Sequence, residues 1–218
     1  MSRRETAIAG LLTTLFFVGA LVDDFFGSVP ADDAPGPELS ASIANPDWAT
    51  LVSVFFWGLG CLAMIWFLVG LRGYMASASE ALANVAVGAG IAAVALLAIT
   101  PAPDLGGWVW SDQANRHLEP GAAEALKATA NGFYFMAAVV LAGVYLAVGL
   151  ASVRHQVFPR WVGGISLLLA LVATIPMVGV VTLLVGFPLW TIIICVMLWR
   201  DSRGGSPPVQ PGNSGMFS

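Results

Sequence analysis

The sequence predicts an all-α protein, a polytopic bundle of six transmembrane helices with both termini cytoplasmic. Composition comes first: of 218 residues, 58% are hydrophobic and only 10% charged, with a mean hydropathy of +0.83. A soluble domain carries about 25% charged residues. Apolar runs then recur at lengths that cross a bilayer, about 18 residues or more, and the cationic residues fall into alternate loops. A transmembrane β-barrel would instead show alternating segments of about ten residues.

The charge-free windows place the elements in order. The first span is expected at about 7–26, and the next three windows, 48–71, 81–103 and 128–153, give spans at about 48–71, 81–100 and 128–152. Each is long enough for about 30 Å of hydrocarbon at 1.5 Å per residue. Asn45-Pro46-Asp47-Trp48 reads as a helix start, with an N-cap, a proline in the first turn and an acid facing the helix dipole. Ser77-Ala78-Ser79-Glu80 reads as a capping box, and Pro101-Ala102-Pro103-Asp104 as the stop of the third helix, since proline cannot continue the ladder. A helical pattern starts at Pro120 and runs to Arg154, so the fourth helix should project beyond the membrane.

From Trp161 to Trp199 there are 39 residues without a charge. As one helix they would extend almost 60 Å, about twice the hydrocarbon thickness, which tilting does not absorb. Two spans are therefore expected, at about 161–176 and 181–199, broken at Pro176 and Gly179. A break at Gly186-Phe187-Pro188 would leave the last segment too short. The loop charges agree. Six spans put Arg3, Arg4, Arg72, Arg154, Arg160, Arg200 and Arg203 on the side of the termini and only Arg116 and Lys127 opposite, seven against two. That asymmetry places the termini in the cytoplasm. Arg3-Arg4 followed by an apolar run and Val18-Gly19-Ala20 also resembles a signal peptide; an uncleaved first span is the expectation. Residues 201–218 read as a disordered cytoplasmic tail. Eight Arg against one Lys, with abundant Ala and Gly, points to a bacterium, and the spans to its plasma membrane.

Every Asp, Glu, Lys and Arg maps to a loop or a helix end. Proton relays, ion-coupled carriers and voltage sensors place ionisable groups within the membrane, so their absence argues against that class. No Lys/Arg-rich run supports nucleic-acid binding. Cys61 and Cys195 lie in apolar spans without Cys or His neighbours, which fits buried thiols and neither disulfide nor zinc. No HExxH, GxSxG, P-loop or dinucleotide fingerprint stands in a usable context; no catalytic residue, metal or cofactor is assigned.

The candidate ligand or partner residues lie on the outer side. Asp23 and Asp24 form a paired carboxylate at the end of the first span, able to share a proton or hold a cation; a solvated helix end is the plainer reading. In the loop 106–132, Asp112, His117 and Glu119 are potential ligands and His117 a potential base, though the spacing matches no metal motif. Trp108 and Trp110 read as interfacial anchors. Arg154, His155 and Arg160 frame a short inner turn that would meet anionic headgroups. Asn84 and Asn131 are candidates for bonds between helices. Small residues at four-residue spacing, Ala86/Gly90, Ala89/Ala93, Gly143/Ala147 and Ala147/Ala151, predict close packing of the third and fourth helices.

At 155–164, HQVFPRWVGG, the chain resembles a family of six-span bacterial membrane proteins classed as a domain of unknown function, with a Pro-Arg-Trp-x-Gly turn before the fifth span. Pro159, Arg160, Trp161 and Gly163 carry the resemblance, which implies a six-helix fold and no catalytic residues. The expected function is that of a non-enzymatic accessory, assembly or interaction protein in the plasma membrane, its partners being the bilayer and a membrane protein or a second copy. The alternatives are a small permease or lipid-handling protein with an uncharged polar path, and an outer-surface enzyme using His117.

Overall fold

The computed structural model describes residues 1–21, 34–114, 118–175 and 178–204. Their elements are α1 (Arg3–Ala20), α2 (Gly36–Ala44), α3 (Trp48–Ala76), α4 (Glu80–Ile99), α5 (Ala102–Ala114), α6 (Pro120–His155), α7 (Arg160–Val172), α8 (Val178–Val181), a π-helical turn (Thr182–Gly186) and α9 (Phe187–Gly204). Among the described residues there is no strand. Four helical runs are long and apolar enough to cross a membrane: Trp48–Ala76, Glu80–Gln113, Pro120–His155 and Val178–Ser202. The other two expected spans differ. α1 has 18 residues and opens on Arg3, Arg4 and Glu5, while α7 has only 13, roughly 20 Å at the helical rise.

Local chemistry explains the boundaries, some of them displaced from expectation. α1 starts at Arg3 because Ser2 and Glu5 form a capping box, the Ser2 hydroxyl accepting from Glu5 N–H at 3.2 Å and the Glu5 carboxylate from Ser2 N–H at 2.7 Å. The cap of α3 is Asp47, not Asn45; its carboxylate accepts from Thr50 N–H at 2.9 Å. Ser79 caps α4, whereas Ser77 ends α3 and donates to the Tyr74 carbonyl. α4 ends at Ile99, just before Pro101, as expected, but the chain does not leave helical structure for long. The chain turns at Thr100–Pro101 and resumes at once as α5, because prolines in a first turn need no N–H. Pro101 removes the donor that would bond the Leu97 carbonyl four residues back. The buried Trp57 indole N–H takes that place at 2.6 Å.

The stretch 161–199 forms two helical runs, as its length requires. α7 ends at Val172, and Ala173–Ile175 make a turn in which Thr174 N–H bonds Leu171 and Ile175 N–H bonds Val172. The helix resumes at Val178 and passes Gly186-Phe187-Pro188 unbroken, the π turn accommodating Pro188 by bonding Phe187 N–H to Thr182. Pro176 lies outside the described residues. Gly179 marks the turn: a Cβ there would stand 2.6 Å from the Ala173 carbonyl oxygen, so no larger residue fits without moving backbone. The last helix runs on to Gly204, so 201–204 continue α9 where a tail was expected; 205–218 lie outside the described residues.

α4 packs along α6, as the small-residue spacing predicts. Ala86, Ala93, Ala147 and Ala151 are buried, and a Cβ on Gly143 would stand 2.8 Å from the Ala89 Cβ. α1 lies against α3 and α9, and α7 against α6, where Gly149 and Gly163 let the backbones meet. Between these pairs an aromatic column fills the interior. Tyr145 meets Trp190 edge-on at 5.1 Å, and Phe17 meets Trp57 at 5.0 Å, geometries that suit ring quadrupoles. The Trp190 indole N–H donates to Ser166 Oγ at 2.9 Å, and Ser166 donates to Val162 O.

The two ends of the bundle are different. The terminal end gathers α1's start, α9's end, the α3–α4 turn and the α6–α7 turn: Arg3 pairs with Asp201, and Tyr74 bonds both Asp201 and the Val157 carbonyl. The opposite end carries α2, α5 and the first turns of α6.

Candidate functional site

At the cap end the segments expected as loops are helical and packed. α2, α5 and the start of α6 enclose a small core of Leu39, Ile43, Leu118 and Ala123, separate from the main core. The fit is close, since a Cβ on Gly107 would stand 2.6 Å from Ile43 Cγ2. Ser40 donates to the Leu118 carbonyl. Asp104, in the first turn of α5, pairs with Lys127 of α6 at 3.6 Å. Lys127 is 20% exposed and Asp104 32%, so this pair is better shielded than an ordinary surface pair. α6 has 36 residues, roughly 54 Å at 1.5 Å per residue. It exceeds the hydrocarbon thickness of about 30 Å, as expected, and its surplus forms the cap.

The sequence-selected residues divide accordingly. Trp108, Trp110 and Asp112 lie on α5, a helix rather than the expected loop. Trp108 is half-buried, while Trp110 and Asp112 are exposed. Glu119 is the N-cap of α6, exposed and making no side-chain cap bond. Asp23, Asp24 and His117 lie outside the described residues. Among the described residues, no three His, Cys, Asp or Glu side chains converge as metal ligands.

Within the spans, most hydroxyls serve their own helix. Thr13, Ser152, Ser166 and Thr182 each donate to the carbonyl four residues back. Asn84 accepts from Arg72 Nε at 2.9 Å, the predicted bond between helices. The hydroxyls of Thr14, Tyr145 and Thr191 are buried with no hydrogen-bond partner. Ser, Thr and Asn therefore act as local glue, and Tyr145, Phe67, Phe187 and Trp190 are fully buried in the interior.

The terminal end holds a cavity of about 450 Å³, which the sequence reading did not anticipate. Arg3, Thr6, Tyr74, Ser77, His155 and Gln156 supply its polar lining, and Gly70 and Gly73 its glycines. The Arg3 guanidinium carbon sits 5.1 Å from the Tyr74 ring centroid, over its face, and Nη1 lies 3.9 Å from Asp201 Oδ2. Tyr74 donates to the same Oδ2 at 2.8 Å, so the phenol and the carboxylate hold the guanidinium in place. Gln156 stands in left-handed backbone, φ 55 and ψ 33, and is the only non-glycine residue with positive φ among those described. Its N–H bonds the Ser152 carbonyl four residues back and that of Val157 bonds Ala151, a left-handed helix ending in which glycine is the usual occupant. His155 was visible in the sequence as part of an inner turn. Arg3, Tyr74 and Asp201 were not, because they come from three helices far apart in the chain. The one available hint was an Arg and an Asp flanking the first and last apolar runs.

Compared with protein-family models, curated proteins and solved structures, the chain matches none of them.

Proposed function

We propose that this chain is a non-enzymatic accessory or assembly protein of a bacterial plasma membrane. It crosses the bilayer six times, with both termini in the cytoplasm, and meets its partner through the cap on the outer side. The folded cap carries the reading: a helix needing only to cross the membrane has no use for roughly 20 Å of extra length or for a second core. The charge asymmetry supports the orientation, since the end holding Arg3, Arg72, Arg154 and Arg160 is the cationic one. α1 and α7 count as spans because each pairs along a longer helix, α3 and α6 respectively. The partner is a membrane protein or a second copy, meeting α5 at the face that exposes Trp110 and Asp112.

The test is purification in nanodiscs from the native host followed by native mass spectrometry, for the wild type and for Trp110→Ala/Asp112→Arg. A stoichiometric partner or dimer in the wild type, lost in the variant at unchanged melting temperature, is the expected result. A protein that emerges alone in both would overturn the reading.

A further inference from the structure

We propose that the cleft at the terminal end binds a phosphate group of net negative charge, carried by an anionic lipid headgroup or by a soluble phosphate ester. This does not rest on the accessory reading, which concerns the opposite end. A volume of about 450 Å³ lies in the range of small-ligand sites, about 300–1,000 Å³. Among the described residues no Asp or Glu lines it, whereas Arg3 does, so an anion finds a counter-charge there. The nearest acid, Asp201, is occupied by the Tyr74 hydroxyl at 2.8 Å and faces Arg3 only at 3.9 Å. A guanidinium has five N–H donors in a planar fork. Here Asp201 engages one nitrogen, at long range, through its carboxylate and its carbonyl at 3.4 Å. The rest of the fork is available to a tetrahedral oxyanion, for which bidentate arginine is well suited.

The second, independent observation is backbone strain in the same wall. Gln156 occupies a left-handed conformation that glycine adopts without steric cost. Among the described residues its side chain makes no hydrogen bond or ion pair to compensate, and neither does that of His155. Strain that nothing nearby relieves tends to persist where a side chain is needed for a ligand. With Gln156 in that position, its side chain and that of His155 line the same cleft as Arg3. Gly73 leaves open space on the floor, since a Cβ there would meet nothing within 4 Å.

The full-length protein is placed in phosphatidylcholine nanodiscs with or without phosphatidylglycerol, and retained lipid is read by native mass spectrometry during stepwise delipidation. Glycerol 1-phosphate is titrated separately into the phosphatidylcholine discs by ligand-observed NMR. At least one probe should bind. Arg3→Gln should weaken it by roughly tenfold or more, the scale of a lost charge-assisted hydrogen bond. Arg160→Gln, at the same end but outside the cleft, should weaken it less than about twofold. Gln156→Gly should raise the melting temperature and still lose binding severalfold. Retention of phosphatidylglycerol alone assigns the headgroup, and binding of glycerol phosphate alone assigns the soluble ester. The proposal is overturned if neither probe binds, or if Arg160→Gln costs as much as Arg3→Gln, which would mean diffuse surface attraction. Should Arg3→Gln fail to fold, Gln156→Gly decides alone: wild-type affinity there overturns the proposal.

Discussion

Two identical substitutions on α6 should have opposite effects. Gly143→Ala and Gly132→Ala both add one methyl group to the same helix, and both gain the roughly 1 kcal/mol by which alanine exceeds glycine in helix propensity. At Gly132 the new methyl meets nothing within 4 Å, so that gain stands. At Gly143 it would stand 2.8 Å from the Ala89 Cβ, where methyl carbons rest at about 3.5–4.0 Å. Neither atom sits on a flexible side chain, so α4 and α6 must separate by about 1 Å along a seam that includes buried Ala86, Ala93, Ala147 and Ala151. Overpacking of this kind costs about 1–3 kcal/mol. The two variants should therefore differ by about 2 kcal/mol, close to a thirtyfold change in the unfolding constant. Reversible unfolding in mixed micelles measures this directly. Stabilisation of both variants by the same amount would show that the α4–α6 seam has slack, and the close-packing argument would fail.

Three further predictions concern the buried polar groups, the thiols and the topology. Thr191→Val, which removes a buried hydroxyl with no partner at almost constant shape, should stabilise the bundle by about 1 kcal/mol. Ser166→Ala should destabilise it by about 1–3 kcal/mol, because it strands the Trp190 indole N–H; chemical denaturation of the two variants should give opposite signs. Cys61 and Cys195 are both buried, so they should not react with a membrane-impermeant maleimide and need not be removed. In intact cells that reagent should then label Asp112→Cys, whereas Ser202→Cys should label only after permeabilisation. Labelling of both from outside would rule out the six-span topology.

How much the sequence could disclose depended on how local each cause is. The break in 161–199 was legible because length alone forbids a single helix, and the α4–α6 contact because small residues at four-residue spacing need no partner information to be noticed. The cap at Ser2 and Glu5 is equally local, but it precedes the apolar run and so lies outside the charge-free window that marks the span. The stop at Pro101 was legible, but the return to helix at Ala102 was not, for a deeper reason: a proline's cost depends on what else bonds the carbonyl it leaves short of a donor, and Trp57 lies 40 positions from Leu97. The terminal cleft was illegible for the same reason. Its parts are unremarkable singly, and only the fold brings Arg3 to Asp201, 198 residues away.

Pro101 and Gln156 give a way to separate architecture from function in such a bundle. Both violate a local rule, one by removing a backbone donor and the other by placing a side chain in backbone suited to glycine. At Pro101 the violation is compensated on the spot. The Leu97 carbonyl receives the Trp57 N–H, and Trp57 in turn packs edge-on against Phe17 and Tyr134. The deviation has thereby become part of the core, and it needs no explanation outside the fold. At Gln156 nothing among the described residues compensates: the side chain is exposed and the backbone bonds of the helix end would form equally well with glycine. A deviation that the fold neither requires nor repairs is retained for something outside the fold, or for nothing. Gln156→Gly distinguishes these, because relief of left-handed strain should stabilise the chain by about 1 kcal/mol in either case, while only a functional glutamine takes binding away with it.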